Sequence, residues 1–422
     1  MNPVSSPVAA LTLARSFDLI RGVDQPQQML EPLPYHLELR DYLKSEEREL
    51  WNWFASAKAK ADYAEHLRME LLKSTYRLDR ESHPELYKLV DEAKARLELA
   101  VPVTLYQAQG NPHSNAALFY LPEHGHIVFS GAVLSLLTPE ETKSVISHEL
   151  AHYHLWQRDG GEFHVADRLL SAVAQDPRAA SSHEQSARHY QLYTEIFADR
   201  GSLCVTGDLQ SVIAGLVKVE TGLSQVSATS YLKQAEEIFV NGHVAAEGVA
   251  HPESFIRARS LALWQEKGVD SAPELTAMIE GPPSLESLDL AGQRRLTLAT
   301  RRLIEHLLKP KWFQTPAVIA QAKLYFENFS VSTIDSAQLA NLKSPDNATR
   351  EYFCYVLLDF TKADPELDEV PLAAALELSR QLDMDAQFEK LAARELKMKV
   401  RDVRRIKEQA AELLAKAEVN GE

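Results

Sequence analysis

His148 and His152 stand four residues apart in a segment whose first turn reads Thr138-Pro139-Glu140-Glu141. Threonine can cap that turn, proline suits the first helical position and glutamate closes a capping box. The spacing therefore predicts a helix from Pro139 to about Asp159-Gly160-Gly161, where glycine can end it. On such a helix the two imidazoles share one face, roughly 6 Å apart along the axis, and can hold one tetrahedral metal ion. Glu149 is turned by about 100° from His148. That places a carboxylate beside the position the histidines leave open, where it can deprotonate a water.

His-Glu-x-x-His on a helix is a signature of catalytic zinc, but the string also arises by chance in chains of this length. A catalytic zinc takes three protein ligands and keeps one place for water. The segment Thr194–Arg200, "TEIFADR", offers the remaining ligand on a second expected helix. Glu195 and Asp199 are one turn apart there, hence on one face. Glu195 is assigned as the third ligand, and Asp199 as the acceptor that fixes a ligand imidazole, that of His148. Ala151 and Ala198 are small where two helices must approach closely around an ion.

Four stretches, "HSNAALFY", "HIVFSGAVLSLLTPEETKSVISHELAHYHL", "EIFADR" and "HPESFIRARSL", occur in that order. Together they resemble the HtpX-like and CAAX-prenyl-protease family of gluzincin metallopeptidases, over about residues 84–264. The resemblance implies an endopeptidase with one zinc ion per chain, held by His148, His152 and Glu195, with Glu149 as base. It also implies a small sheet whose edge strand receives an extended or unfolded protein or peptide substrate. By position, Asn115 would contact the substrate backbone. His251, a candidate for holding the oxyanion, and Arg257, a candidate substrate contact, match downstream positions near the active site. The best-known members carry membrane helices or export signals, and neither is recognisable in this sequence. The resemblance thus implies the chemistry and leaves the target open. A zinc-bearing chaperone-like or scaffolding protein with little proteolysis is the alternative; an intact Glu149 favours the enzyme.

The remaining features set the frame. A chain of 422 residues favours about two or three domains. The formal net charge of −15 argues against a surface for nucleic acid or anionic lipid. Cys204 and Cys354 form no C-x-x-C pattern and suit a reducing compartment. No apolar run is long enough for a membrane span and the N-terminus lacks a signal-peptide pattern, so a soluble cytoplasmic protein is expected.

The fold class expected is α+β, mostly α: a zincin-like metallopeptidase domain with a small antiparallel sheet, followed by an all-α domain. Residues 1–80 read as a helical segment, with one helix from about Pro34 to Thr75. Residues 81–268 read as the peptidase domain, with strands at Val101–Gln109, Asn115–Leu121 and His126–Ser130. Residues 269–292 read as a linker and 293–422 as helices that could bind a regulatory partner. That last region faintly resembles TerB-like helical domains, with Asp359, Asp364, Glu366 and Asp368 as acidic candidates, although helix caps and a solvated turn explain them as well. The segment Asn241–Ser254, which includes His243, is a candidate gate over the cleft.

Overall fold

The computed structural model describes residues 30–110, 112–242, 244–282, 284–331, 342–343 and 346–420. The N-terminal stretch read for targeting signals lies outside them, as does His243. Three helices open the described chain: α1 (Pro34–Glu46), α2 (Arg48–Ala55) and α3 (Ala57–Ser74). The single helix expected here is broken at Glu47 and at Ser56, whose hydroxyl accepts from the Ala59 N–H and caps α3. Thr75, expected to end that helix, instead starts strand β1 (Thr75–Leu78).

After α4 (Pro84–Arg96) come β2 (Val103–Ala108), β3 (Asn115–Leu121) and β4 (His124–Ser130), in a sheet of order β1-β2-β4-β3. Leu121 pairs with His124, so Pro122-Glu123 alone makes the hairpin turn. The expected all-antiparallel sheet is corrected here, because β2 and β4 run parallel. The chain leaves β2, passes one strand position further out to lay down β3, and folds back so that β4 fills the gap. This puts β3 at the sheet edge with one side unpaired by any strand among the described residues. The central β4 is buried on both faces. Ile127 and Phe129 join the large core, while Val128 meets Leu67 and Leu71 of α3.

Helix α5 (Pro139–Gln157) follows, with the Thr138 hydroxyl and Glu141 carboxylate forming the expected reciprocal cap. Glu141 also pairs with the buried Lys218 at 2.8 Å. The helix stops two residues short of Asp159, and a tight turn over Arg158–Gly160 leads to Gly161 at φ 91°, a left-handed backbone that favours glycine. Then come α6 (Glu162–Ala174), α7 (Ser181–Thr206), α8 (Leu209–Thr221), α9 (Ala228–Val240), α10 (Ser254–Lys267), α11 (Ala272–Glu280) and α12 (Leu290–Leu307). The C-terminal part adds α13 (Pro316–Tyr325), α14 (Asn347–Phe360), α15 (Val370–Gln381), α16 (Asp385–Glu395) and α17 (Val400–Asn420). No described helix is long and apolar enough to cross a membrane.

Helices α5 and α7 pack against each other where Ala151 meets Gly201, and Ser202 Oγ donates to the Ser144 carbonyl at 2.8 Å. A Cβ at Gly201 would overlap the Cβ of Ala151 and reach 3.0 Å from Leu30 Cδ2. Gly201→Ala is therefore expected to cost about 1–3 kcal/mol, the range for overpacking. It should also displace α7 from α5, so metal affinity should fall together with the melting temperature. Unchanged metal titrations in a destabilised Gly201→Ala protein would show that the helix spacing does not set the site.

Buried apolar side chains form two main clusters, one spanning Leu30 to Ala291 and one spanning Leu303 to Ala410. Helix α12 contributes to both. The 269–292 stretch is no simple tether, since Leu275, Met278 and Ile279 of α11 sink into the first cluster. Of the acidic C-terminal candidates, Asp364 caps a short turn by accepting from the Glu366 N–H, and Asp359 accepts from the Tyr325 hydroxyl. The four do not gather into a metal-ligating group among the described residues.

Candidate active site

Three helices converge beneath the free edge of β3. From α5, His148 and His152 project one turn apart, with Nε2 atoms 3.2 Å from each other. From α7, Glu195 reaches both: Oε2 is 3.4 Å from His148 Nε2 and Oε1 is 3.5 Å from His152 Nε2. Among the described residues this is the group of three that could share an ion. Zinc–nitrogen and zinc–oxygen bonds of about 2.0–2.2 Å at tetrahedral angles separate adjacent ligand atoms by roughly 3.3–3.5 Å. The three donors thus stand close to the edges of such a tetrahedron. His152 Nδ1 and Glu195 Oε2 are buried without a well-formed hydrogen bond among the described residues, although cations lie near the carboxylate. The donor set and its spacing fit a zinc ion.

Asp199, one turn beyond Glu195, lies 3.0 Å from His148 Nδ1, the arrangement that fixes a ligand imidazole. Arg257 of α10 donates to both Asp199 oxygens, from Nε at 2.8 Å and Nη2 at 2.6 Å, and its Nη1 is 3.4 Å from Glu195. Arg257, expected as a substrate contact, also lines the cavity. The guanidinium is mostly buried and faces two carboxylates that His148 also approaches. His251 behaves otherwise: Nδ1 is 3.0 Å from Glu195 Oε2, while 62% of its side chain is exposed. Asn115 sits exposed at the start of β3, on the rim of the same cavity.

Burial lowers the affinity of the His148 imidazole for a proton, but hydrogen bonds to Asp199 and Glu195 outweigh it and carry the pKa up to about 10. Burial pulls His152 down to about 3. The pair of carboxylates thus holds one positive charge on the imidazoles, the charge a bound cation would replace. Glu149 is buried, and burial raises its carboxyl to about 7, with the neighbouring His148 charge opposing and Glu195 adding to the rise. The Leu118 N–H on β3 donates to it, a contact with no signal in the local sequence. Because edge groups alternate along a strand, that bond marks the side of β3 that faces the cleft. The cavity there measures about 370 Å³ and is lined by Asn115–Leu118, the three candidate ligands and Glu149.

Asp199→Asn removes the charge that holds His148 while keeping an oxygen in place. Metal affinity is expected to drop about 10–100-fold, measured by competition with a chelating dye. An affinity equal to that of the parent would mean that Asp199 serves Arg257 alone.

The segment considered as a gate is tied down where it is described. Arg188 donates to the carbonyls of Ala246 and Gly248, the Ala246 N–H bonds to Met278, and Glu253 accepts from the N–H groups of Glu247 and Gly248.

Residues 78–175 match the model of peptidase family M48. The match takes in the whole of β2, β3, β4 and α5, with His148, Glu149 and His152, and ends before α7 supplies Glu195 and Asp199. No curated protein and no solved structure matches the chain. The first stretch and the one that holds His148, Glu149 and His152 fall inside the matched residues: this chain carries a peptidase family M48 segment, and with it support for a metallopeptidase role.

Proposed function

We propose that the chain is a zinc-dependent endopeptidase acting on extended or unfolded polypeptide, with His148, His152 and Glu195 as ligands. When bound there, zinc would lower the pKa of a water and polarise the scissile carbonyl. Glu149 takes the proton of the attacking water and returns it to the departing nitrogen. A carboxyl pushed up to about 7 is matched to a group that must both accept and give up a proton near neutrality. Asp199 orients His148, and Arg257 holds Asp199 and balances Glu195. Glu195 raises the proton affinity of His251, favouring the form in which both ring nitrogens carry protons. With Nδ1 on Glu195, Nε2–H is left to meet the oxyanion.

The substrate backbone would add to the open edge of β3, where main-chain hydrogen bonds give affinity without demanding a particular sequence. Asn115 stands at the end of that edge. The unbridged Cys204 and Cys354 support a reducing, cytoplasmic setting.

The single observation that carries this reading is a buried carboxylate, Glu149, beside three convergent donors and under a free strand edge. Its test is the cleavage of an unfolded protein such as β-casein by zinc-loaded protein. Chelation should stop the reaction and one equivalent of zinc should restore it. Cleavage that survives complete metal removal would sink the proposal.

A further inference from the structure

The cavity continues past the candidate ligands in two directions, and its two ends differ in chemistry. Toward the start of α5 the wall is aliphatic, with Val145 facing Val212 and Leu216 of α8. Toward the end of α5, past His152 and Trp156, the wall is polar, formed by Asp167 and Ser171 of α6 and Gln191 of α7. Asp167 and Ser171 are one turn apart on α6, and Gln191 precedes Glu195 by one turn, roughly 6 Å along α7. This end therefore lies within reach of a long side chain carried by a residue close to the scissile bond.

Asp167, Ser171 and Gln191 have no side-chain hydrogen bond or ion pair among the described residues. All three are half-buried and line the cavity, so their polar atoms stay open to a side chain that enters it. The cation nearest in sequence does not help. Arg168 lies instead over the rings of Tyr63 and Phe54, 4.4 and 5.5 Å from their centroids. The arginine that does line the cavity, Arg257, is committed to Asp199 and Glu195. Starved of a partner, the Asp167 carboxyl is pushed by burial up to about 7, with Arg168 opposing the shift.

The geometry points to Asp167 as the specificity-determining residue that receives a lysine or arginine side chain of the substrate, with Ser171 and Gln191 completing its hydrogen bonds. The assignment rests on the endopeptidase reading above and adds a substrate class to it: basic, extended peptides. A cation brought to Asp167 restores the charged carboxylate and gains a charge-assisted hydrogen bond in an enclosed setting.

Peptide binding tests this separately from turnover. Fluorescent extended peptides that carry lysine, norleucine or glutamate at one scanned position are titrated by anisotropy into zinc-loaded Glu149→Gln protein, and the same peptides are offered to the parent for cleavage. At one position lysine should bind roughly tenfold or more tightly than norleucine, with glutamate weakest. Asp167→Asn should erase the preference and Asp167→Lys should turn it toward glutamate. The lysine–norleucine comparison needs no change at Asp167, so it holds even if those variants fold poorly. Equal affinities at every position, or a preference that Asp167→Asn leaves intact, would overturn the assignment. A lysine preference without any cleavage by the parent would retire the peptidase reading and leave Asp167 as a binding determinant.

Discussion

Glu149→Gln is expected to leave the chain folded and loaded with metal while slowing casein cleavage by about 10²–10⁴-fold, the contribution of a positioned proton carrier. The replacement keeps the side-chain length and an oxygen able to accept from the Leu118 N–H. It removes a carboxyl whose charged form burial disfavours, so the melting temperature should not fall. What disappears is the capacity to take a proton from water. Metal content, thermal melting and cleavage rate are to be measured on one preparation. A parental rate with intact metal would assign the base elsewhere, and the proposed mechanism would be wrong.

The second large effect is expected on the metal. Glu195→Ala removes the donor that faces both imidazoles and leaves two ligands where catalytic zinc takes three. The loss of affinity should exceed the 10–100-fold that follows from disturbing an outer partner such as Asp199. Zinc determined by mass spectrometry after dialysis against a weak chelator should fall well below one per chain. His148→Ala and His152→Ala should behave alike. Full zinc retention in Glu195→Ala would move the third donor to another group, and His251, 3.0 Å from the Glu195 carboxylate, would be examined first.

What could be read from the sequence follows the range of the interactions. The cap of α5 and the pairs His148/His152 and Glu195/Asp199 all rest on contacts three or four residues apart, and a helix turns that spacing directly into geometry. The meeting of α5 and α7 needed only small residues at the crossing. Ala151 stood out, but its partner is Gly201, whose bare Cα gives no sequence signal that another helix passes over it. Strand order was not read, although the unbroken apolar run Ile127-Val128-Phe129 in β4 is the mark of a strand buried on both faces. β1 follows α3 without a turn residue, so Thr75 looked like the end of a helix. In the 269–292 stretch, Gly281-Pro282-Pro283 drew attention to a break, while Leu275, Met278 and Ile279 already carried the spacing of a buried helix face. Arg257 was placed near the site, yet nothing in its neighbours announced that Asp199 and Glu195 would claim it.

The open edge of β3 bears on how such a peptidase could share a compartment with other proteins. A client must bring its own unpaired backbone to that edge. In a folded protein those N–H and C=O groups are already engaged, and freeing a segment means paying its local opening free energy first. For a segment that opens only at a cost of about 5 kcal/mol, the competent fraction is roughly one in several thousand, and apparent affinity falls by the same factor. A chain that has lost its structure pays nothing. Discrimination between intact and damaged neighbours would then reside in the client's own stability.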